Sequence, residues 1–317
     1  MILDFLPDNM DGDMWETLCD QCYRNRYQED GYQKIPATDR GDGGIEGYTQ
    51  SGIVYQCYCP EREYSDKELY EHLRDKMTRD INKLVNQKYA KRLNELGVPT
   101  IKQWHFVIPD YKDSKILQHA KEKKDFVLEK KKSEPAQYEY ISSEFKIIVR
   151  VARDFTPELS RIIRNQQLDV KLNLAVKNIG DINWEECDSD KVKNVRRKVK
   201  AVMANVSEED ALYKDIVKKY IEFYMRGIEI LIKLRSSFPE IYEDIHELEM
   251  AYKNDVEIET KMNMDRKINA QLFNRILKEF GEKLSEEFKC LSFASISELK
   301  QDMVASWLAD CSMEFRG

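Results

Sequence analysis

A glycine-rich acidic turn runs directly into a β-branched segment between residues 39 and 61, and no other stretch constrains the fold as strongly. It reads Asp39-Arg-Gly-Asp42-Gly-Gly-Ile-Glu46-Gly, then Tyr-Thr-Gln-Ser-Gly-Ile-Val-Tyr-Gln56-Cys-Tyr58-Cys-Pro-Glu61. Consecutive glycines give the backbone access to left-handed conformations that close a tight turn. Ile53, Val54 and Tyr55 suit a strand. Alternation along that strand puts Gln56 and Tyr58 on one face. Taken alone, such a segment also fits a solvated turn, because Gly and Asp are ordinary turn residues.

The surrounding periodicities predict an α/β layer. Trp15, Leu18, Cys19 and Cys22 recur at helical spacing within a helix over 13–26, with Asp11 or Asp13 as its cap. Residues 31–47 read as loop, and 52–58 as a strand. Leu69, Leu73, Met77, Ile81, Leu84 and Val85 make one apolar stripe in a single long helix over 65–96, ended by Gly97-Val-Pro99. Strands over 104–108 and 145–151 flank a helix over 114–132. Strands separated by helices imply an α/β sandwich with a mixed, partly parallel sheet. From residue 188 onward the pattern is almost wholly helical. The expected organisation is an α/β domain over 1–155, a junction over 156–187 and an all-α domain over 188–317.

The chain has 317 residues, 42% hydrophobic and 34% charged, with a net charge of −7. Its size suits about two domains of ~150 residues. No apolar run approaches the ~20 residues that span a bilayer, so no membrane association is expected. The first residues lack the basic and apolar regions of a secretory signal. The seven cysteines are not spaced as a disulfide framework, which points to a reducing cytoplasm. The acidic balance is unusual for a protein that coats nucleic acid; a local basic patch or a partner would have to supply the grip.

Hydrolysis of a phosphodiester with Mg²⁺ or Mn²⁺ needs hard oxygen ligands. The ion activates water and neutralises charge on the phosphate. Gly41-Asp42-Gly-Gly-Ile-Glu46-Gly with Tyr55-Gln56-Cys57-Tyr58 resembles the core of Mrr-like restriction-endonuclease domains, whose fold is of the PD-(D/E)xK type and whose pattern is roughly Gly-Asp-x-Gly-Ile-Asp-Gly followed by Gln-x-Lys. The likeness covers about residues 10–110. It implies a restriction-endonuclease-like sandwich, a divalent metal at Glu46, Gln56 and Asp42, and duplex DNA as substrate. Glu16 matches the glutamate often carried by the first helix. It is equally a residue that the dipole of any helix N-terminus favours. Tyr58 stands where the pattern has its lysine, and a phenol with a pKa near 10 cannot supply an ammonium's charge. Lys67, or failing that Lys102, is a candidate replacement; Glu61 is a further candidate ligand.

Other constellations are weaker. Cys19-x-x-Cys22 with Cys57-x-Cys59 has enough thiols for structural zinc, but Cys19 and Cys22 lie on an apolar helical face, where cysteine behaves as a small hydrophobe. The four histidines show no ligand spacing. Lys191, Lys193, Arg196, Arg197, Lys198 and Lys200 form a run without an acid. Lys193, Arg196, Arg197 and Lys200 are its expected nucleic-acid contacts; a solvated face, or one paired with a partner's acids, is the alternative. Phe238-Pro-Glu-Ile-Tyr-Glu and Trp307-Leu-Ala-Asp-Cys-Ser-Met-Glu-Phe315 resemble the C-terminal part of effector subunits in bacterial three-component antiphage systems of the Lamassu type. That likeness implies an SMC-like ABC ATPase and a small accessory subunit as partners, and leaves self-association open. The sequence thus supports a metal-dependent nuclease effector, with a catalytically degenerate DNA-sensing or assembly subunit as its rival. A different hydrolase on a similar sandwich is a third, weaker reading.

Overall fold

A computed structural model of the chain describes residues 5–6, 10–35, 43–174, 189–310 and 312–315. The chain divides into two compact units, Asp8–Ile162 and a second made of Met1–Pro7 with Ile163–Gly317.

The first unit begins with helix α1 (Gly12–Arg26), whose first turn is closed by the Asp11 side chain accepting from Met14 N at 2.8 Å. Strands β1 (Gln33–Lys34), β2 (Gly47–Tyr48) and β3 (Ile53–Cys57) follow. Helices α2 (Asp66–Leu84) and α3 (Gln87–Glu95), strand β4 (Ile101–Ile108), helix α4 (Lys115–Ser133) and strand β5 (Ile141–Val151) complete the layer. Among the described residues the sheet has the order β1-β2-β3-β4-β5. β1 with β2 and β2 with β3 pair antiparallel; β3, β4 and β5 run parallel. The mixed sheet expected from the helix–strand alternation is therefore present.

Side chains alternate across that sheet. Val54, Trp104, Phe106 and Phe145 face α2 and α4 in one buried cluster. Tyr55 and His105 face α1, where the Tyr23 ring stacks on Tyr55 at 4.0 Å and Trp15 Nε1 donates to Val107 O at 3.3 Å.

Two expectations change. The single helix over 65–96 is two helices, because Asn86 leaves the helical path and its side chain accepts from Lys88 N at 3.0 Å, capping α3. The loop over 31–47 contains β1 and the start of β2, strands too short to show alternation.

Helix α5 (Thr156–Arg164) leads to the second unit, which contains α6 (Ser189–Val202), α7 (Ala211–Ser237), α8 (Pro239–Met262), α9 (Asn269–Glu287) and α10 (Phe293–Ala309). Its core forms around α10: Leu299, Met303, Val304, Trp307 and Leu308 are buried, and the Trp307 ring meets Phe280 at 4.7 Å. Phe5, expected with the α/β domain, instead packs its ring against Phe238 at 5.8 Å in this unit. Part of the expected junction, residues 175–187, lies outside the described residues. No described helix is long and apolar enough to cross a membrane.

Candidate active site

The glycine turn is built against its neighbours. Gly44 has φ +80°, and a Cβ there would stand 2.3 Å from Asp80 O on α2. Both the conformation and the approach therefore require glycine. Trp104 Nε1 donates to Gly44 O at 2.9 Å and fixes the turn to β4. Gly43 lies over α3, next to Leu93 and Tyr89.

The turn delivers Glu46 into the sheet. Its amide donates to Tyr55 O at 2.7 Å, and its carbonyl accepts from Ile35 N at 2.7 Å. The pairing of Gly47 with Tyr55 and Tyr48 with Val54 sets Glu46 opposite Gln56 on the same face. The Gln56 amide Nε2 donates to Glu46 Oε1. Both side chains are buried, Glu46 7% and Gln56 2% exposed. Gln56 Oε1 has no hydrogen-bond partner among the described residues. A buried, unsatisfied amide oxygen is costly and uncommon. The amide nitrogen faces the carboxylate; a half-turn of the amide plane would bring Oε1 beside it as a hard-oxygen pair of the kind Mg²⁺ accepts while keeping several waters. Among the described residues no group of three or more His, Cys, Asp or Glu is gathered to hold a metal. The donor set is one carboxylate and one amide, and Asp42 lies outside the described residues.

The other predicted residues are distributed around this pair. Tyr58 continues the Gln56 face and packs half-buried on the α2 side. Burial first, then Tyr64 and Glu61, hold its phenol above the ordinary range, against the opposing pull of Arg79. The phenol is therefore neutral near pH 7. Lys67 points to solvent, its side chain 86% exposed and 4.0 Å from Glu71. Lys102 stands at the other end of β3, where its amide donates to Gly52 O at 2.8 Å. Glu16, on α1, is ion-paired with Lys34 at 3.0 Å.

Lys34 is the residue the sequence reading missed. Burial pulls its ammonium down, but the hydrogen bond and charge of Glu16, then Asp20 and Glu46, raise it above an ordinary lysine. It pairs in β1 with Gly47, the neighbour of Glu46. No local pattern marks it: it lies a dozen residues before Glu46, ahead of the turn rather than after the strand.

Cys19 and Cys57 bring their thiols together, and burial first, then that contact, pushes Cys19 well up. His105 is hydrogen-bonded through Nδ1 to the Tyr23 hydroxyl at 2.7 Å and through Nε2 to Gln103 at 3.0 Å. Burial, with Arg150 and Arg26 nearby, lowers it to about 3, so it stays neutral.

The basic run on α6 belongs to the helical unit. Arg197 grips Glu314 with two bonds at 2.8 and 2.9 Å. Lys193 lies 3.0 Å from Asp190. Lys200 donates to Val206 O at 2.7 Å. Arg196 is exposed, beside Glu208 and Glu209 in an open cleft.

Comparison of the chain with family profiles, curated proteins and solved structures yields no match.

Proposed function

We propose that this chain is an effector of an antiphage defence complex whose α/β unit is a metal-dependent, restriction-endonuclease-like DNA hydrolase. The observation that carries the reading is the buried Glu46–Gln56 pair with its unsatisfied amide oxygen. Glu46 would give the anionic oxygen and Gln56 Oε1 a neutral one, with Asp42 as a third candidate. A divalent cation held there supplies an activated water and neutralises charge gathering on the phosphate. Lys34, held by Glu16 and paired in the sheet with Gly47, would contribute the positive charge that Tyr58 lacks. The Tyr58 hydroxyl is left to donate a hydrogen bond to a phosphate oxygen. In the helical unit Phe238, Trp307, Met313 and Phe315 are buried. The residues behind the likeness to Lamassu-type effectors are thus packing determinants, and on that likeness the unit would dock on an SMC-like ABC ATPase and its small accessory subunit.

A second reading has a specific observation behind it. Tyr58 is uncharged at the lysine position, which favours a degenerate nuclease fold that senses DNA or scaffolds the assembly. Plasmid cleavage with Mg²⁺ or Mn²⁺, by the chain alone and with its genomic neighbours, separates the two. Cutting is expected to fall at least ~100-fold in Glu46→Ala. Cutting that survives this substitution removes the site from the mechanism. No cutting in any assembly, with defence undiminished in the variant, leaves the scaffold.

A further inference from the structure

The segment 76–92 carries Lys76, Arg79, Lys83, Lys88, Lys91 and Arg92 against one acid, Asp80, in a chain whose net charge is −7. It comprises the second half of α2 and most of α3, and it lies against the glycine turn that leads to Glu46. Asp80 O touches the Gly44 position, and Tyr89 and Leu93 lie against Gly43. The Tyr48 hydroxyl donates to Leu96 O at 3.1 Å, tying the far end of α3 to β2. Met77, Ile81 and Leu84, with Ala90 and Leu93, take the buried faces of the two helices. Arg79, Lys88 and Lys91 are thereby turned outward. Lys76 and Lys83 share the buried Asp80, at 2.7 and 3.5 Å. Among the described residues Arg79, Lys88 and Lys91 form no ion pair. Lys88 and Lys91 are exposed, one turn apart on α3 with Arg92 beside them.

We infer that this surface, led by Lys88, Lys91 and Arg79, holds the phosphate backbone of duplex DNA where it passes the Glu46–Gln56 pair. The inference names the substrate contact of that site and so rests on the nuclease-like reading of it. Cations without ion pairs, on helices that pack against the glycine turn leading to Glu46, fit a polyanion that needs neutralising over several phosphates. An acidic protein would fit the charge but would have no reason to meet the buried donor pair.

The test is fluorescence anisotropy of a labelled duplex of about 20 base pairs with the full-length chain in EDTA, titrated from about 50 to 200 mM salt. Lys88→Glu/Lys91→Glu should bind at least about tenfold more weakly at low salt, with a salt slope smaller by about two. Lys88→Gln/Lys91→Gln should fall between it and the parent, and this milder pair guards against misfolding. Lys193→Glu/Arg196→Glu, on α6, should stay within about twofold of the parent. Parental affinity in the Lys88/Lys91 variants, an equal loss in the α6 variant, or a parent that binds no duplex overturns the inference; so does a parent that binds only single-stranded RNA. Chelation keeps hydrolysis out of the readout. A chain that binds in this way and never cuts keeps the surface and loses the catalytic reading. A chain whose cutting depends on Glu46 while the Lys88/Lys91 variants bind normally keeps the chemistry and loses the surface.

Discussion

Helix α6 gathers six basic residues between Lys191 and Lys200, and the segment 76–92 gathers six as well. On α6, Lys191 pairs with Asp310, Arg197 with Glu314, and the fully buried Lys198 donates to Trp307 O and Asp310 O. Asn194 adds a bond to Ala309 O at 2.9 Å. These partners lie at or just beyond the C-terminal end of α10, where helix carbonyls lack intrahelical donors and the dipole is negative. The basic run is in large part a clamp on that end. In 76–92 the apolar positions leave Arg79, Lys88 and Lys91 exposed, and among the described residues none of these three forms an ion pair. An equal number of cations therefore serves an internal joint in one region and an open surface in the other. What decides is whether a cation falls within the apolar stripe.

The largest expected effect sharpens this contrast. Lys198→Ala removes a buried ammonium and strands two carbonyls, so it should cost about 3 kcal/mol of unfolding free energy. Lys88→Ala and Lys91→Ala, at exposed positions, should each stay within about 0.5 kcal/mol. Urea midpoints of the three variants check the pair of statements. An unchanged midpoint for Lys198→Ala would break the contrast at its strongest point.

A second test separates grip from chemistry. Lys34→Gln should lower metal-dependent cleavage by about 10- to 100-fold while leaving duplex affinity in EDTA unchanged. Lys88→Gln/Lys91→Gln should instead weaken binding at every stage. If Lys34→Gln loses affinity and not rate, Lys34 belongs to the basic surface and the site lacks its cation.

These distinctions were partly legible beforehand. The α1 stripe, the β3 strand and the Gly-rich turn could be read, because each follows a local period or a local backbone demand. The pairing of Glu46 with Gln56 followed from a turn that folds β2 back on β3. Lys198 was legible too, though unread: it sits three residues after Val195 and one before Val199, both buried, within the helical stripe. Lys34 was not, because β1 has two residues and its register is set by Gly47 rather than by its own pattern. The break at Asn86 was hidden by a stripe that continues on both sides of it, while the cap depends on a single side chain. The outward cations of 76–92 stayed inconspicuous because they are split between two helices.

Asn86 tests how far the open surface depends on that break. Asn86→Ala removes the α3 cap and should cost about 1 kcal/mol. Because α3 carries Lys88 and Lys91 beside the Gly43 turn, duplex affinity should fall by a smaller factor than in the charge-reversed pair. Thermal unfolding and anisotropy on the same preparation check both. A stable variant with normal affinity would mean that α3 is held by Leu93 and Ala90 alone.

The smallest effect concerns acid. Hydrogen bonding to Arg197 lowers Glu314, with Lys198, Arg197 and Lys261 charges adding to it against burial. Burial pushes Asp310 up, but Lys191 and Lys253 bring it below the ordinary range. Folded-state values below the unfolded ones mean that this stabilisation is complete above the unfolded carboxylate range, about pH 4. It is lost as pH falls through the lower folded values. Asp310→Asn/Glu314→Gln should therefore be less stable than the parent at pH 7, and the difference should shrink as pH drops below about 4. Among the described residues no carboxylate clamp of this kind engages Lys88 or Lys91, so duplex binding should be flat between about pH 5 and 8. Denaturation midpoints that shift in parallel for both proteins across the acid range would show that acid breaks something other than the α6 clamp. The inward role of the α6 cations would then lose its energetic support.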